Sequence, residues 1–227
     1  MEAVILAGGD GVRMRPLTGA IPKPLIPVLG KPLIHHVLNA LPSLIERAVI
    51  VLGYRGDDIE ASLGDKHDGI SLSYARQGAM KGTAGALWSA QSLLAPGYFF
   101  VLNGDDLYNK NELEQFMRPE LAFGYARGKA RAKLLAVSVK ERVFTGLIRP
   151  IEGQDIFVGT NTFTLNERIF SLDPVLLPSG ERGLPQTVAV LAQTERVLAH
   201  ELLHWHQINS PEDIQRVEKL HTQGIAL

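Results

Sequence analysis

The chain of 227 residues contains no cysteine. That single absence removes disulfides, thiolate metal sites and a cysteine nucleophile together. It is also short of net charge: 23 basic against 24 acidic side chains leave −1 at neutral pH. Nothing in that balance draws the chain to a nucleic-acid backbone or an anionic membrane. No apolar run reaches the roughly 18 residues that a spanning helix needs. The N-terminus leads at once into an apolar strand, without a basic region or a small-residue cleavage site. A protein of a reducing compartment, the cytoplasm, is the expectation, with neither nucleic acid nor membrane as a partner. Hydrophobic residues make up 45% and charged residues 21%, ordinary values for a globular domain. No internal repeat, low-complexity tract or linker divides the chain, so one α/β domain is expected.

Short apolar runs alternate with helix-period segments through the first half. Strands are expected at Ala3–Ala7, Ala48–Leu52, Ile70–Ala75 and Tyr98–Leu102. Helices are expected at Leu33–Leu41 after Pro32, from the turn Gly53–Gly56 to about Leu63, and at Thr83–Leu94. This alternation predicts βαβ units in a Rossmann-like, doubly wound, mostly parallel sheet. In such sheets ligands bind at the carboxyl ends of the strands, and the clusters Gly8–Arg15 and Asn103–Asp106 fall there. The second half is less regular. Strands are expected at Leu134–Val139 and Ile156–Leu165, a strand or strand pair at Arg196–Trp205, and a helix at Pro211–His221. Ser210, with Asp213 three residues on, forms a near capping box for that helix.

Leu6-Ala7-Gly8-Gly9-Asp10-Gly11-Val12-Arg13-Met14-Arg15 places three glycines and two arginines directly after a buried strand. Glycines allow backbone N–H groups to approach a phosphate chain, and arginine adds a permanently charged fork. A glycine-rich turn alone is equally a tight strand-to-helix connection. The continuation adds weight: Lys23 is set between Pro22 and Pro24, which stiffen the backbone on both sides. Together Gly9–Thr18, Pro22–Val28 and Lys31-Pro32-Leu33-Ile34 resemble the signature of the sugar-phosphate nucleotidyltransferases, with Val12 in place of the usual threonine.

That resemblance implies a nucleoside triphosphate and a sugar-1-phosphate as partners and Mg²⁺ as cofactor. It implies that Leu6, Ala7, Gly8, Gly9 and Gly11 bind nucleotide, that Arg13 holds the triphosphate and that Lys23 contacts phosphates around the reacting α-phosphorus. Asn103-Gly104-Asp105 resembles the segment whose aspartate binds the metal, and a carboxylate facing phosphates is a good ligand for a hard cation. Asp106 reads as a cap or supporting residue. Tyr74-Ala75-Arg76-Gln77, followed after four residues by Gly82-Thr83-Ala84-Gly85, resembles the nucleobase wall. An amide can pair with the imide edge of uracil or thymine, so Gln77 points to UTP or dTTP, Gly82 is expected to leave room for the base, and Thr83 adjoins it.

The second half departs from the family pattern. Gln207 stands where an aspartate usually completes the metal site, and Asn209 stands at a glycine. Gly159-Thr160-Asn161 puts an asparagine where glycine is expected, and no Glu-Lys-Pro supplies a phosphate-binding lysine. The resemblance assigns Gly146 and Asn161 to the sugar pocket. Residues 1–110 are expected to form the nucleotide-binding half and 111–227 the sugar-phosphate-binding half. A homo-oligomer is allowed but not indicated. Rival functions are a guanylyl- or cytidylyltransferase, including one acting on phosphocholine, and a non-catalytic protein that binds nucleotide sugar. A dinucleotide-dependent dehydrogenase fits poorly, because the glycine spacing is wrong and the second strand ends in Gly53-Tyr54-Arg55. The paired histidines His35-His36 and His204/His206 read as solvent-facing or hydrogen-bonded rather than metal-binding, and Trp88 as core.

Overall fold

A computed structural model describes residues 1–131 and 134–225. Strand β1 (Glu2–Ala7) is apolar along nearly its whole length, as expected of a parallel strand covered on both faces. It pairs in parallel with β2 (Arg47–Leu52) on one side, and β2 in turn with β3 (Ile70–Arg76). On its other side lies β4 (Tyr98–Asn103), also parallel. The second half adds β5 (Ala122–Lys129), β6 (Ala136–Lys140), β7 (Val143–Ile148), β8 (Asp155–Asn166) and β9 (Leu198–Glu201). Among the described residues one ten-stranded sheet forms, in the order β6-β7-β9-β5-β8-β4-β1-β2-β3, closed by the short strand Lys66–His67.

The Rossmann-like α/β fold is thus present, with parallel pairing concentrated in the first four strands. Strand β8 runs antiparallel to both β4 and β5, which makes the whole sheet mixed. Strands β5 and β7 were not foreseen, since Gly124, Arg127, Gly128 and Lys129 break the apolar alternation of the first. In the expected strand at 196–205 only Leu198–Glu201 joins the sheet. His206–Gln207 instead forms a two-residue ladder with Asp106–Leu107.

Alternating β1 residues feed two cores. Ala3, Ile5 and Ala7 pack with Ile34, Val37 and Leu38 of α1 (Leu33–Asn39) and Ile59 of α2 (Gly56–Leu63). Val4 and Leu6 pack on the opposite face with Ala84 and Leu87 of α3 (Gly82–Ala90) and Leu184 and Val188 of α4 (Leu184–Leu191). The expected helix at 83–94 finishes at Ala90 and tightens into a 3₁₀ turn over Gln91–Leu93. Trp88 lies in this second layer, edge-on to Phe170. The last helix, α5 (Pro211–Thr222), carries a complete capping box between Ser210 and Asp213. No helix among the described residues is long and apolar enough to cross a membrane.

His200 on β9 is buried edge-on against Phe116, and neither ring nitrogen has a hydrogen-bond partner among the described residues. Burial is the largest influence and holds its pKa below the usual 6.5; Glu120 opposes this, and Arg142 and Arg118 reinforce it. The folded state therefore keeps a neutral ring while the unfolded chain takes up a proton, so stability is full above pH 6.5 and falls below it. His200→Leu is expected to lose less melting temperature between pH 7.5 and 5.5 than the wild type. Parallel losses in thermal melts would contradict this.

Candidate active site

The loop after β1 is shaped by Gly11, which holds a left-handed φ of 59°. A Cβ there would lie 2.8 Å from Thr18 Cγ2 and 3.0 Å from Lys23 Cβ. The buried Thr18 hydroxyl donates to the Gly11 carbonyl at 2.9 Å. The loop is thereby folded on itself and brings Lys23 beneath the glycines. Met14 anchors it from below, fully buried with Ile26, Val28, Leu107, Ile208 and Val217. That plug joins the loop to the start of α5, so residues far apart in sequence share one site.

Lys23 is 6% exposed. A buried ammonium is costly unless paired, and two acceptors meet it. Its Nζ donates to Asp105 Oδ2 at 2.5 Å and to Asn209 Oδ1 at 3.1 Å. Arg13 Nη2 donates to the same Asn209 oxygen at 2.9 Å. Asp105 remains partly open to solvent, whereas Asp106 is 1% exposed. Asn103 Nδ2 and Trp205 Nε1 each donate to Asp106 Oδ2 at 3.2 Å. Burial, and then the charge of Asp105, push the Asp106 carboxyl up to about 7. Gln207 lies directly opposite Asp106 in the short ladder, and its carbonyl accepts from Arg216.

A cavity of about 850 Å³ opens over these groups. It reaches Leu6, Gly8, Gly9 and Arg13, the residues Gln77, Gly82 and Thr83 expected at a base wall, the pair Asp105 and Gln207, and Asn161. A smaller cavity of about 180 Å³, sharing Gly9, Arg13, Asp105 and Asn209 with it, touches Ala7, Gly11 and Lys23. Gly146 lies elsewhere: it sits on β7 opposite Ser138, beside an irregularity in the β6–β7 pairing, and lines neither cavity. Its φ of 133° belongs to that irregular pairing rather than to a pocket.

Asn161, where the family pattern has glycine, has a φ of 52° at the break in register between β8 and β5. Asparagine tolerates this left-handed region better than most side chains. Its Oδ1 is buried without a hydrogen-bond partner among the described residues.

The base wall differs in detail from expectation. Gln77 Nε2 donates to the carbonyls of Met80 at 3.1 Å and Gly82 at 3.0 Å. Those carbonyls orient the amide, since Oε1 turned toward them would meet oxygen with oxygen. Gly82 also has a backbone reason to be glycine. Its φ is 90°, and a Cβ would meet the Arg182 carbonyl at 2.4 Å, so the segment before α4 requires it. The Thr83 hydroxyl accepts from the Leu184 N–H at 2.9 Å and ties α3 to α4.

The histidines have structural partners. His36 Nε2 lies 2.7 Å from the Val28 carbonyl, His204 Nδ1 pairs with Glu112 at 2.6 Å, and His35 stands edge-on to His67. Among the described residues no three His, Asp or Glu side chains are grouped to hold a metal. Asn209 and Met14 are the contributors that sequence reasoning missed. For Asn209 the available signal was its place at a position where the family pattern has glycine.

The sequence model of the nucleotidyl transferase family matches residues 2–146, and the chain belongs to that family. It is 30% identical to the UTP–glucose-1-phosphate uridylyltransferase AglF of Haloferax volcanii, over 96% of each protein. It is 26% identical to the bifunctional protein GlmU of Methanocaldococcus jannaschii, over 96% of this chain and 54% of the relative, so it spans about half the length of that protein. The fold is also that of an inositol-1-phosphate CTP transferase from T. maritima, with a TM-score of 0.78, 22% identity and coverage of 100% and 98% of the two chains.

Two glycine substitutions separate shape from binding. Gly11→Ala is expected to destabilise the fold by about 1–3 kcal/mol, from left-handed strain and overlap with Thr18. A Cβ at Gly9 meets nothing within 4 Å. Gly9→Ala should therefore melt like wild type and lose triphosphate affinity. Denaturation curves with nucleotide titrations check both, and equal behaviour of the two variants would contradict the assignment.

Proposed function

We propose that the chain transfers a nucleoside monophosphate from a nucleoside triphosphate to a sugar-1-phosphate and releases pyrophosphate. The observation that carries this is the convergence of Arg13 and Lys23 beside Asp105, under a glycine loop that leaves room at Gly9. An oxygen of the acceptor phosphate attacks the α-phosphorus, a new P–O bond forms, and the bond to the bridging oxygen of pyrophosphate breaks. The acceptor phosphate is already ionised, so no general base is needed. Backbone N–H groups of the loop orient the triphosphate. Arg13 and Lys23 neutralise the charge that builds on the reacting phosphoryl oxygens.

The donor set suits Mg²⁺, which takes one or two protein oxygens and completes its shell with phosphates and water. Asp105 engages Lys23 through Oδ2 and remains partly exposed, and the Gln207 amide oxygen is the second candidate ligand. Bound there, the ion would supply further charge neutralisation at the phosphates. Asp106 holds Asn103 and Trp205 instead and supports the wall of the site.

UTP or dTTP is the proposed donor. With both Gln77 N–H groups satisfied by Met80 and Gly82, Oε1 is left as an acceptor for the N3–H of uracil or thymine. The N3 of cytosine has no hydrogen and would oppose lone pair to lone pair. The name of the Haloferax relative agrees with this donor. Residues 1–110 act as the nucleotide half and 111–227 as the acceptor half. In a panel of nucleoside triphosphates, UTP or dTTP is expected to exceed CTP by about tenfold or more in pyrophosphate release. Preference for CTP or GTP would overturn the assignment of Gln77.

A second reading, a binder of nucleotide sugar without turnover, is favoured by the uncharged Gln207. Lys23→Ala separates the two. For the enzyme, turnover should fall by about 100-fold or more while nucleotide affinity changes much less. Unchanged turnover in Lys23→Ala would refute the role of the lysine. A wild type that binds nucleotide sugar and releases no pyrophosphate would establish the binder.

A further inference from the structure

We propose that Arg55 is a positioning residue that latches the outer limb of the glycine loop to the turn after β2. The latch keeps the loop closed, with Arg13 and Lys23 set for the triphosphate. This rests on the nucleotidyl-transfer function proposed above and concerns the loop that serves it.

The outer limb, residues 15–22, runs between those two cations. Met14 and Lys23 are buried at its ends, but Arg15, Pro16, Leu17, Gly19, Ala20 and Ile21 are exposed. Leu17 and Ile21 are 43% and 41% exposed, so packing does little to hold the limb. Its own hydrogen bonds stay inside the loop: the Thr18 hydroxyl donates to Gly11, the Gly19 N–H to Pro16 and the Ile21 N–H to Leu17. Among the described residues, one hydrogen bond reaches it from beyond the loop. The Arg55 guanidinium donates through Nη1 to the Ala20 carbonyl. That carbonyl ends the helical turn Leu17–Ala20, where unsatisfied oxygens attract a cation.

The backbone of Arg55 is unusual for its side chain. Its φ is 50°, in the left-handed region that glycine enters freely and arginine seldom. Such conformations persist where the surroundings impose them, and they gather at functional sites. Asp58, in the first turn of α2, accepts from Nε at 2.5 Å. It thereby orients the planar fork so that Nη1 meets Ala20. The same turn grips the other end of the loop. A Cβ on Gly53 would overlap the Gly8 carbonyl, and the Tyr54 N–H donates to that carbonyl at 3.4 Å. Gly53 and Tyr54 also line the main cavity. One turn therefore brackets the loop, at Gly8 through backbone and at Ala20 through Arg55. Without the latch the limb samples open positions, and apparent affinity falls with the fraction of molecules that stay closed.

The test uses Arg55→Gly and Arg55→Asn, both suited to left-handed backbone and both too short to reach Ala20. Thermal melts of the two variants are expected to stay close to wild type. In nucleotide-free protein, hydrogen exchange at the Gly19 and Ile21 amides should speed up by about tenfold or more, with β1 unchanged. Calorimetry uses whichever of UTP, dTTP, CTP, GTP and ATP the wild type binds best. Affinity should weaken by about three- to tenfold, with kcat at saturation within about threefold of wild type. Exchange at the wild-type rate in both variants would overturn the latch even if affinity fell, since the guanidinium would then act on phosphate directly. A wild type that releases no pyrophosphate with any substrate pair would overturn the functional reading instead, and the exchange experiment would still decide the latch by itself.

Discussion

The buried ammonium of Lys23 is the constraint around which the site is arranged. A charge at 6% exposure must be paired, and Asp105 pairs it at 2.5 Å. Lysine comes from the loop after β1, aspartate from the end of β4, and the second acceptor from the segment before α5. Three parts of the chain therefore meet at one nitrogen. Removing the aspartate charge would strand the ammonium in a poorly solvated place, a change that costs about 3–5 kcal/mol in buried pairs, whereas Asp105 keeps solvent access. The apolar plug of Met14, Ile208 and Val217 lies under the same junction, so packing and electrostatics support one arrangement.

Adjacent carboxylates take different roles for reasons of environment alone. Asp105 keeps solvent access and a cationic partner. Its neighbour is enclosed, satisfied by two N–H donors, and raised to about 7. Only the first is suited to face phosphates with a full negative charge. The two-residue ladder that sets Gln207 opposite Asp106 brings the C-terminal segment to this spot. A charged side chain at Gln207 would have added a third carboxylate beside Asp105 and Asp106.

The first half of the fold was legible because β1 to β4 are apolar runs separated by helix-period segments, and buried parallel strands advertise themselves in that way. The capping box of α5 was legible for an equally local reason. Strand β5 was not, because glycines and basic residues interrupt its pattern and its pairing with β8 comes from distant parts of the chain. At the site, the loop and its lysine could be read from glycine and proline placement. At Gly82 the sequence could not reveal a second demand for glycine, because it comes from Arg182, a hundred residues away. Gly146 was drawn toward the pocket by motif alone, while its pairing puts it on β7 between β6 and β9, outside both cavities. Asn209 gave no signal beyond standing at an expected glycine, since its value depends on two cations brought to it by the fold.

The central claim concerns one bond made and one broken at the α-phosphorus. Phosphorus NMR of the wild-type protein with Mg²⁺, UTP and a series of sugar-1-phosphates follows both directly. The predicted result is the paired signals of a nucleotide sugar diphosphate growing in step with inorganic pyrophosphate, one for one. Orthophosphate from simple hydrolysis, or unchanged triphosphate with every acceptor and every nucleotide tried, would contradict the account.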